Sequence, residues 1–239
     1  MEPAGSHMKL LDRFERIRVV NLPSRADRRE EMAAQMARVG VALGTDQARF
    51  FPAIRPEEAG GFPTIGARGC FLSHLQVLRD ASGSASILVL EDDVDFIADI
   101  ANALPGALEQ LPESWGIFYG GGKSDLAPGT GAVTKAPAGT PIGTTHFIAF
   151  RGSAIARAVS YLEAILQRPP GHPDGGPMHV DGAYSRFRAD NPDIETWVAL
   201  PELGYQRPSR TDIHALRWFD RTPVIRDAVT ALRRLRPQR

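Results

Sequence analysis

Glu91, Asp92 and Asp93 stand in a row, and Asp95 follows two residues after Asp93. Carboxylates this close repel one another unless a cation or hydrogen-bond donors neutralise them. The row therefore reads in one of two ways. It is a site where a divalent metal holds a phosphate-bearing ligand, or it is a solvated acidic turn helped by a helix N-terminus. Polar and basic residues able to meet a base or a phosphate occur early in the chain, at Asn21, Arg25, Arg28 and Arg29. Arg28 and Arg29 suit an ordinary first helical turn equally well. His74 is a lone histidine, a type that on a helix is more often a hydrogen-bonded structural residue than a catalyst. Cys70 has no visible Cys-His-Asn/Asp arrangement and reads as a buried structural thiol. Gly120-Gly121-Gly122-Lys123-Ser124 lacks the first glycine of the phosphate-loop spacing, and no apolar helix follows it. It reads as a tight loop near a ligand.

The elements that must position these residues follow from local pattern. Ile87-Leu88-Val89-Leu90 runs straight into the acids. Such an apolar run fits a strand buried on both faces of a parallel sheet. In open α/β sheets the C-terminal ends of the strands form the ligand edge. Residues 17–22 predict a first strand, stopped by Pro23. Ser24 and Asp27 have capping-box spacing, and a helix with Met32, Met36 and Val39 on one face ends at Gly40. Asn21 and the arginines sit on or beside the loop of this strand-helix unit. Further strands are expected over 49–53, 115–119, 144–150 and 196–200. Helices are expected after Gly66, over 97–111, from Ser153, over 180–189 and over 224–235. Asp181 opens one of them, either as its N-cap or as a reactive acid. The stretches 54–65, 123–143 and 168–178 read as loops, rich in proline, glycine or both, the first suited to a lid or acceptor site. The alternation of strands and helices predicts an α/β fold with a mixed sheet whose first half binds a nucleotide.

A chain of 239 residues, 43% hydrophobic, can bury a sizeable core. Its formal net charge of zero gives no general attraction to nucleic acid. The charge is uneven at the end, where Arg226, Arg233, Arg234, Arg236 and Arg239 face only Asp227. We expect a basic C-terminal helix over 221–239, solvated or in weak peripheral contact with an anionic membrane. A single cysteine rules out an intrachain disulfide and fits a reducing, cytoplasmic setting at most peripheral to the membrane. No apolar run has the length to span a bilayer. Gly5-Ser6-His7-Met8 reads as a cloning remnant, so residues 1–7 are set aside and 8–220 is expected to form one domain.

Several separated stretches then line up in one order: Val19-Val20-Asn21-Leu22 with Arg25 and Arg28; Gly66-Ala67-Arg68-Gly69-Cys70-Phe71-Leu72-Ser73-His74; the acidic strand 87–94; and Gln206 with Ser209-Arg210-Thr211-Asp212-Ile213. Thr145-His146-Phe147-Ile148 and Val180-Asp181 fall between the last two. Together they resemble glycosyltransferase family 25, which includes bacterial lipopolysaccharide sugar transferases and collagen galactosyltransferases.

The resemblance implies a GT-A-like nucleotide-sugar-binding fold with a mixed, mainly parallel central sheet. It implies a nucleotide-diphosphate sugar donor, with UDP-galactose the first guess, an inverting transfer to a glycan or lipid-linked acceptor, and Mn²⁺ or Mg²⁺ as cofactor. Carried over residue by residue, Asp93 is the direct metal ligand, with Glu91 and Asp92 in support and Asp95 offering a competing register. Such an ion needs only one or two carboxylates, because diphosphate and water complete its shell. Asn21, Arg25, Arg28, Arg68, Ser73 and His74 fall to the donor site, with His146 supporting its floor. The family's last motif is lengthened here by Arg210-Thr211. Asp181 is the candidate base for the acceptor hydroxyl, by the logic of inverting glycosidases. Asp212 is its fallback, and His214 another base or metal ligand. A non-catalytic nucleotide-sugar-binding module is the main alternative. A phosphohydrolase or receiver-like domain would account for the acids alone.

Overall fold

The computed structural model describes residues 9–207. His214, Asp212 and the basic segment 221–239 lie outside the described residues. In chain order the elements are α1 (Leu10–Arg13), β1 (Arg16–Asn21), α2 (Ala26–Arg38), β2 (Ala48–Pro52), α3 (Ile65–Asp80), β3 (Ser86–Glu91), β4 (Val94–Phe96), α4 (Ile100–Gln110), β5 (Trp115–Lys123), β6 (Val133–Ala136), β7 (Gly143–Arg151), α5 (Ser153–Leu166), α6 (Val180–Asp190), β8 (Glu195–Ala199) and β9 (Gly204–Gln206).

The apolar run before the acids explains the centre of the fold. β3 lies inside a sheet of order β2-β1-β3-β7-β5-β8-β6. Ile87 and Val89 enter one core, shared with Phe71, Leu75 and Leu78 of α3 and with apolar residues of α5 and α6. Leu88 and Leu90 enter the other, with Met32 and Met36 of α2 and Leu104 and Leu108 of α4. Period-two alternation thus feeds both faces, and each fully buried side chain of this size contributes about 1.5–3 kcal/mol. β1, β2, β3, β5 and β8 point one way and β6 and β7 the other, so the sheet is mixed and mainly parallel, as expected. Among the described residues, no helix is long and apolar enough to cross a membrane.

Three local expectations are corrected. The capping box at Ser24 does not form: Arg25 is the N-cap of α2, with no side-chain cap bond, and Asp27 instead accepts from the Arg25 guanidinium at 2.7 Å. Gly120-Gly121-Gly122 is not a loop but the continuation of β5. The glycines answer close approaches from elsewhere. A Cβ on Gly121 would lie 2.2 Å from the Gly204 carbonyl oxygen and 2.4 Å from His146 Nε2. Finally, β6 and β9 form in stretches that read as irregular. β9 pairs antiparallel with β4, with Val94 opposite Gln206, so this segment returns to the acidic turn.

Candidate functional site

Residues 92 and 93 form the turn between β3 and β4, at the C-terminal edge of the parallel strands. There the ends of β1, β2 and β3 and the first turns of α3 enclose a cavity of about 270 Å³. α3 can lie so close because its residue 69 is glycine: a Cβ there would sit 2.6 Å from the Ile54 carbonyl oxygen. Residues 53–56, 65 and 66 line this cavity, so the proline- and glycine-rich stretch does border the site.

The three consecutive acids have three different environments. Asp92 is fully paired: Asn21 Nδ2 donates to its Oδ2 at 2.7 Å and Arg28 Nη1 to its Oδ1 at 2.7 Å. Asn21 and Arg28 thereby tie the first strand-helix loop to the acidic turn. Glu91 accepts from Thr145 Oγ1 at 2.7 Å, and His74 Nε2 lies 3.4 Å from the same oxygen. Burial works against its charge, but His74 and Thr145 outweigh that and hold Glu91 below the usual carboxylate range. Asp93 is the exception. Its Oδ2 accepts from Gln206 Nε2 at 3.1 Å and lies 3.8 Å from Arg28 Nη1, while its Oδ1 is buried with no hydrogen-bond partner. Burial, and next the charge of Glu91, push Asp93 up to about 7 against the pull of Arg28 and Gln206. A buried carboxylate oxygen without a donor is costly. An oxygen-seeking divalent cation fits such an atom.

Asp95 is spent otherwise. Arg207 donates to it from Nε at 3.0 Å and Nη2 at 2.7 Å, and Gln35 Nε2 at 3.1 Å. It pins residue 207 beside the turn, where the Arg207 amide also donates to the Asp93 carbonyl at 2.7 Å. In this structure the oxygens of Asp95, the competing metal register, are engaged by Arg207 and Gln35. Ser73 is buried, donates to the Gly69 carbonyl at 2.6 Å and accepts from the Ile54 amide at 2.8 Å. It fixes the cavity wall. Arg68 reaches away to the Glu58 carbonyl at 3.0 Å, and neither Arg68 nor Arg25 is among the residues that line the cavity. His146 Nε2 meets the Gly204 carbonyl at 3.0 Å and supports the β9 crossing.

Asp181 is not the N-cap of α6, a position held by His179. Its Oδ2 accepts from the Thr144 amide at 3.2 Å. Thr144 has φ of 66°, a left-handed conformation rare outside glycine. The next residue, Thr145, holds Glu91, so Asp181 and the acidic strand are joined through two consecutive residues of β7. Cys70 lines the cavity, where burial first and nearby Glu91, Asp93 and Asp181 next push its thiol up.

Residue spacing gave no role to Thr145, Gln206 or Arg207. Gln206 stands in a stretch that carries the family resemblance. Arg207 has no local signal, since Asp95 is 112 residues away and Glu31 176.

No family model matches the chain. Two curated relatives do. One is the inactive glycosyltransferase 25 family member 3 of Homo sapiens, 30% identical over 134 residues, covering 46% of this chain and 22% of the relative. The other is the probable inactive glycosyltransferase 25 family member 3 of Bos taurus, 27% identical over the same length and shares. The chain thus spans 22% of the length of these relatives. Solved structures similar to it include mannose-1-phosphate geranyltransferase from Thermus thermophilus. The TM-score is 0.40 at 12% identity, over 78% of this chain and 73% of that one. Another is a glycosyltransferase involved in the glycosylation of the major capsid of PBCV-1, with TM-score 0.35 at 11% identity, over 77% and 92%. The chain is similar in sequence to members of glycosyltransferase family 25, the family its motifs resemble.

Proposed function

We propose that the chain is a metal-dependent inverting glycosyltransferase. It takes a nucleotide-diphosphate sugar, UDP-galactose first, and passes the hexose to a hydroxyl of a glycan or lipid-linked acceptor such as lipopolysaccharide. The carrying observation is Asp93, a buried carboxylate with one unpartnered oxygen beside a cavity at the ligand edge of the sheet. Asp93 would hold Mg²⁺ or Mn²⁺, which when bound would neutralise charge on the departing nucleoside diphosphate.

The chain's own residues set up that step. Asn21 and Arg28 hold Asp92 and so fix the floor of the cavity. Arg28 lines the cavity and is the basic residue we assign to the donor phosphates, whereas Arg25 and Arg68 reach the donor only by leaving Asp27 and Glu58. Glu91, kept ionised by His74 and Thr145, accepts hydrogen bonds from donor hydroxyls. Asp181, held by the Thr144 amide, takes the proton of the acceptor hydroxyl as the new C–O bond forms and the bond to diphosphate breaks. The setting is a reducing cytoplasmic one, with the basic segment 221–239 available for peripheral membrane contact.

Calorimetry with UDP and Mn²⁺ tests the reading. Asp93→Asn should weaken Mn²⁺-dependent UDP binding at least tenfold, and unchanged affinity would remove Asp93 from the metal. Asp181→Asn should keep UDP binding and lose transfer. A second reading, a nucleotide-sugar-binding module without transfer, is favoured by the names of both curated relatives, which call them inactive. Tight UDP binding with no hydrolysis across UDP-, GDP- and CMP-sugars in Mn²⁺ would select it.

A further inference from the structure

The chain's one cysteine stands where three kinds of metal ligand converge. Cys70 and His74 are four residues apart on α3, which places them on one helix face. Glu91 ends β3, against which α3 packs. One ligand atom from each of Cys70, His74 and Glu91 lies within 4.8 Å of the other two. A second observation is independent of this clustering. His74 is fully buried, and the Tyr184 hydroxyl sits 3.3 Å from its Nδ1. Its Nε2 makes no hydrogen bond and is directed toward Glu91 Oε1, 3.4 Å away. Tyr184 meets Nδ1, so Nε2 is the ring nitrogen that faces Glu91, and two buried ligand atoms 3.4 Å apart with no hydrogen bond of ordinary geometry between them leave a place that a cation would fill.

We infer that Cys70, His74 and Glu91 form a binding site for a thiophilic divalent cation of the Zn²⁺ class, separate from the oxygen-only set at Asp93. The donor set selects the metal. Thiolate, imidazole and carboxylate suit Zn²⁺, whereas Mg²⁺ takes oxygen ligands. Three protein ligands leave one tetrahedral position, and because all three line the cavity, that position opens into it. Tyr184 supplies the outer contact that fixes the imidazole for its ligand role. As the metal–sulfur bond forms, the thiol proton leaves to solvent. The ion ties α3 to the end of β3.

A single cysteine makes the test clean, since an aromatic disulfide reagent reads Cys70 alone. In the unmodified protein, equimolar Zn²⁺ should slow the reaction at least tenfold and excess Mg²⁺ should not. Titration with Co²⁺ should raise a thiolate-to-cobalt charge-transfer band. Cys70→Ser should abolish the band. His74→Gln and Glu91→Gln should each weaken Co²⁺ binding at least tenfold, with circular dichroism confirming that the variants fold. Asp93→Asn should leave the band intact, which separates this site from the cation proposed for the donor. Equal protection by Mg²⁺, no band in the unmodified protein, or a band lost in Asp93→Asn but kept in folded His74→Gln would each overturn the site. If the histidine variant does not fold, thiol protection in the unmodified protein decides alone.

Discussion

At the N-terminal edge of the parallel strands one carboxylate meets three guanidinium groups, and at the C-terminal edge two of three adjacent carboxylates share one. Asp80, the last residue of α3, lies 3.1 Å from Arg18 Nε, 3.4 Å from Arg49 Nη2 and 3.7 Å from Arg16 Nη1. Burial works against its charge, but the hydrogen bond and charge of Arg18, then Arg49 and Arg16, hold it below the usual carboxylate range. Arg18 is 1% exposed and also donates to the carbonyls of Ile17, Asp46 and Gln47. Among the described residues, no buried side-chain nitrogen or oxygen of Arg18 or Asp80 lacks a hydrogen-bond partner, which makes the cluster a structural lock. Among the described residues, the arginine that reaches the three acids of the opposite edge is Arg28, within 4 Å of Asp92 and Asp93 and not of Glu91. Asp92 takes its hydrogen bond, Glu91 is served by His74 and Thr145, and Asp93 is left with a neutral amide, Arg28 at 3.8 Å and one buried oxygen without a hydrogen bond. Both edges crowd like charges together. The difference is whether the fold supplies the counter-charge, and where it does not, a ligand is the remaining source.

Removing the counter-charge at the first edge should have the largest effect. Asp80→Ala leaves Arg18 buried without its carboxylate and should cost about 3–5 kcal/mol in urea unfolding at neutral pH. A loss under about 1 kcal/mol would mean the carbonyls alone satisfy Arg18 and would break the contrast. At the second edge the sign should reverse. Folded Asp93 keeps its proton up to about pH 7, whereas an ordinary aspartate carboxyl loses it near 3.8. Its contribution to stability is full below about pH 4, falls as pH rises through that window, and is gone above about 7. At about 1.4 kcal/mol per pKa unit, the gap has an upper bound of about 4 kcal/mol. In chelator, Asp93→Asn should therefore match the unmodified protein at pH 4 and exceed its stability at pH 8. Mn²⁺ should stabilise only the unmodified protein. A variant less stable at pH 8 than its parent would show that Asp93 is not starved of partners.

What the residues revealed beforehand follows the range of the forces involved. The alternation in 87–90, the glycine after Val39 and the apolar face of α5 are local, so the main strands and helices were legible. β9 is three residues long and exists through its pairing with Val94–Phe96, so nothing in 204–206 announces it. Gly120-Gly121-Gly122 misleads for the same reason: glycines signal a turn locally, but these are required by Phe147, Gly204 and Ile142 crossing from elsewhere. The acid row itself was legible by spacing. Its division of labour was not, because Asp92, Asp93 and Asp95 are one residue type, and their side-chain partners lie 60 to 113 residues away. Motif resemblance could point to Asp93, but the distinction between a paired and an unpaired aspartate is made only by tertiary contacts.

Gln206 gives the smallest effect and the sharpest test of that distinction. Its amide is the hydrogen-bond donor to the charged form of Asp93, at 3.1 Å on Oδ2. Gln206→Ala should cost about 1 kcal/mol, the usual worth of such a bond. More telling is how that cost varies with pH. Without the amide, ionised Asp93 loses support while the protonated form loses little, so the folded-state titration should move above about 7. The penalty of the variant should then be small at pH 5 and grow through neutrality. Asp93→Asn abolishes the titration, so in that background the penalty of Gln206→Ala should be flat with pH. The same penalty at pH 5 and pH 8 in the unmodified background would place Gln206 in β-strand packing against Val94 alone. A pH-dependent penalty that vanishes with Asp93→Asn ties the returning chain segment to the one acid the fold leaves unfinished.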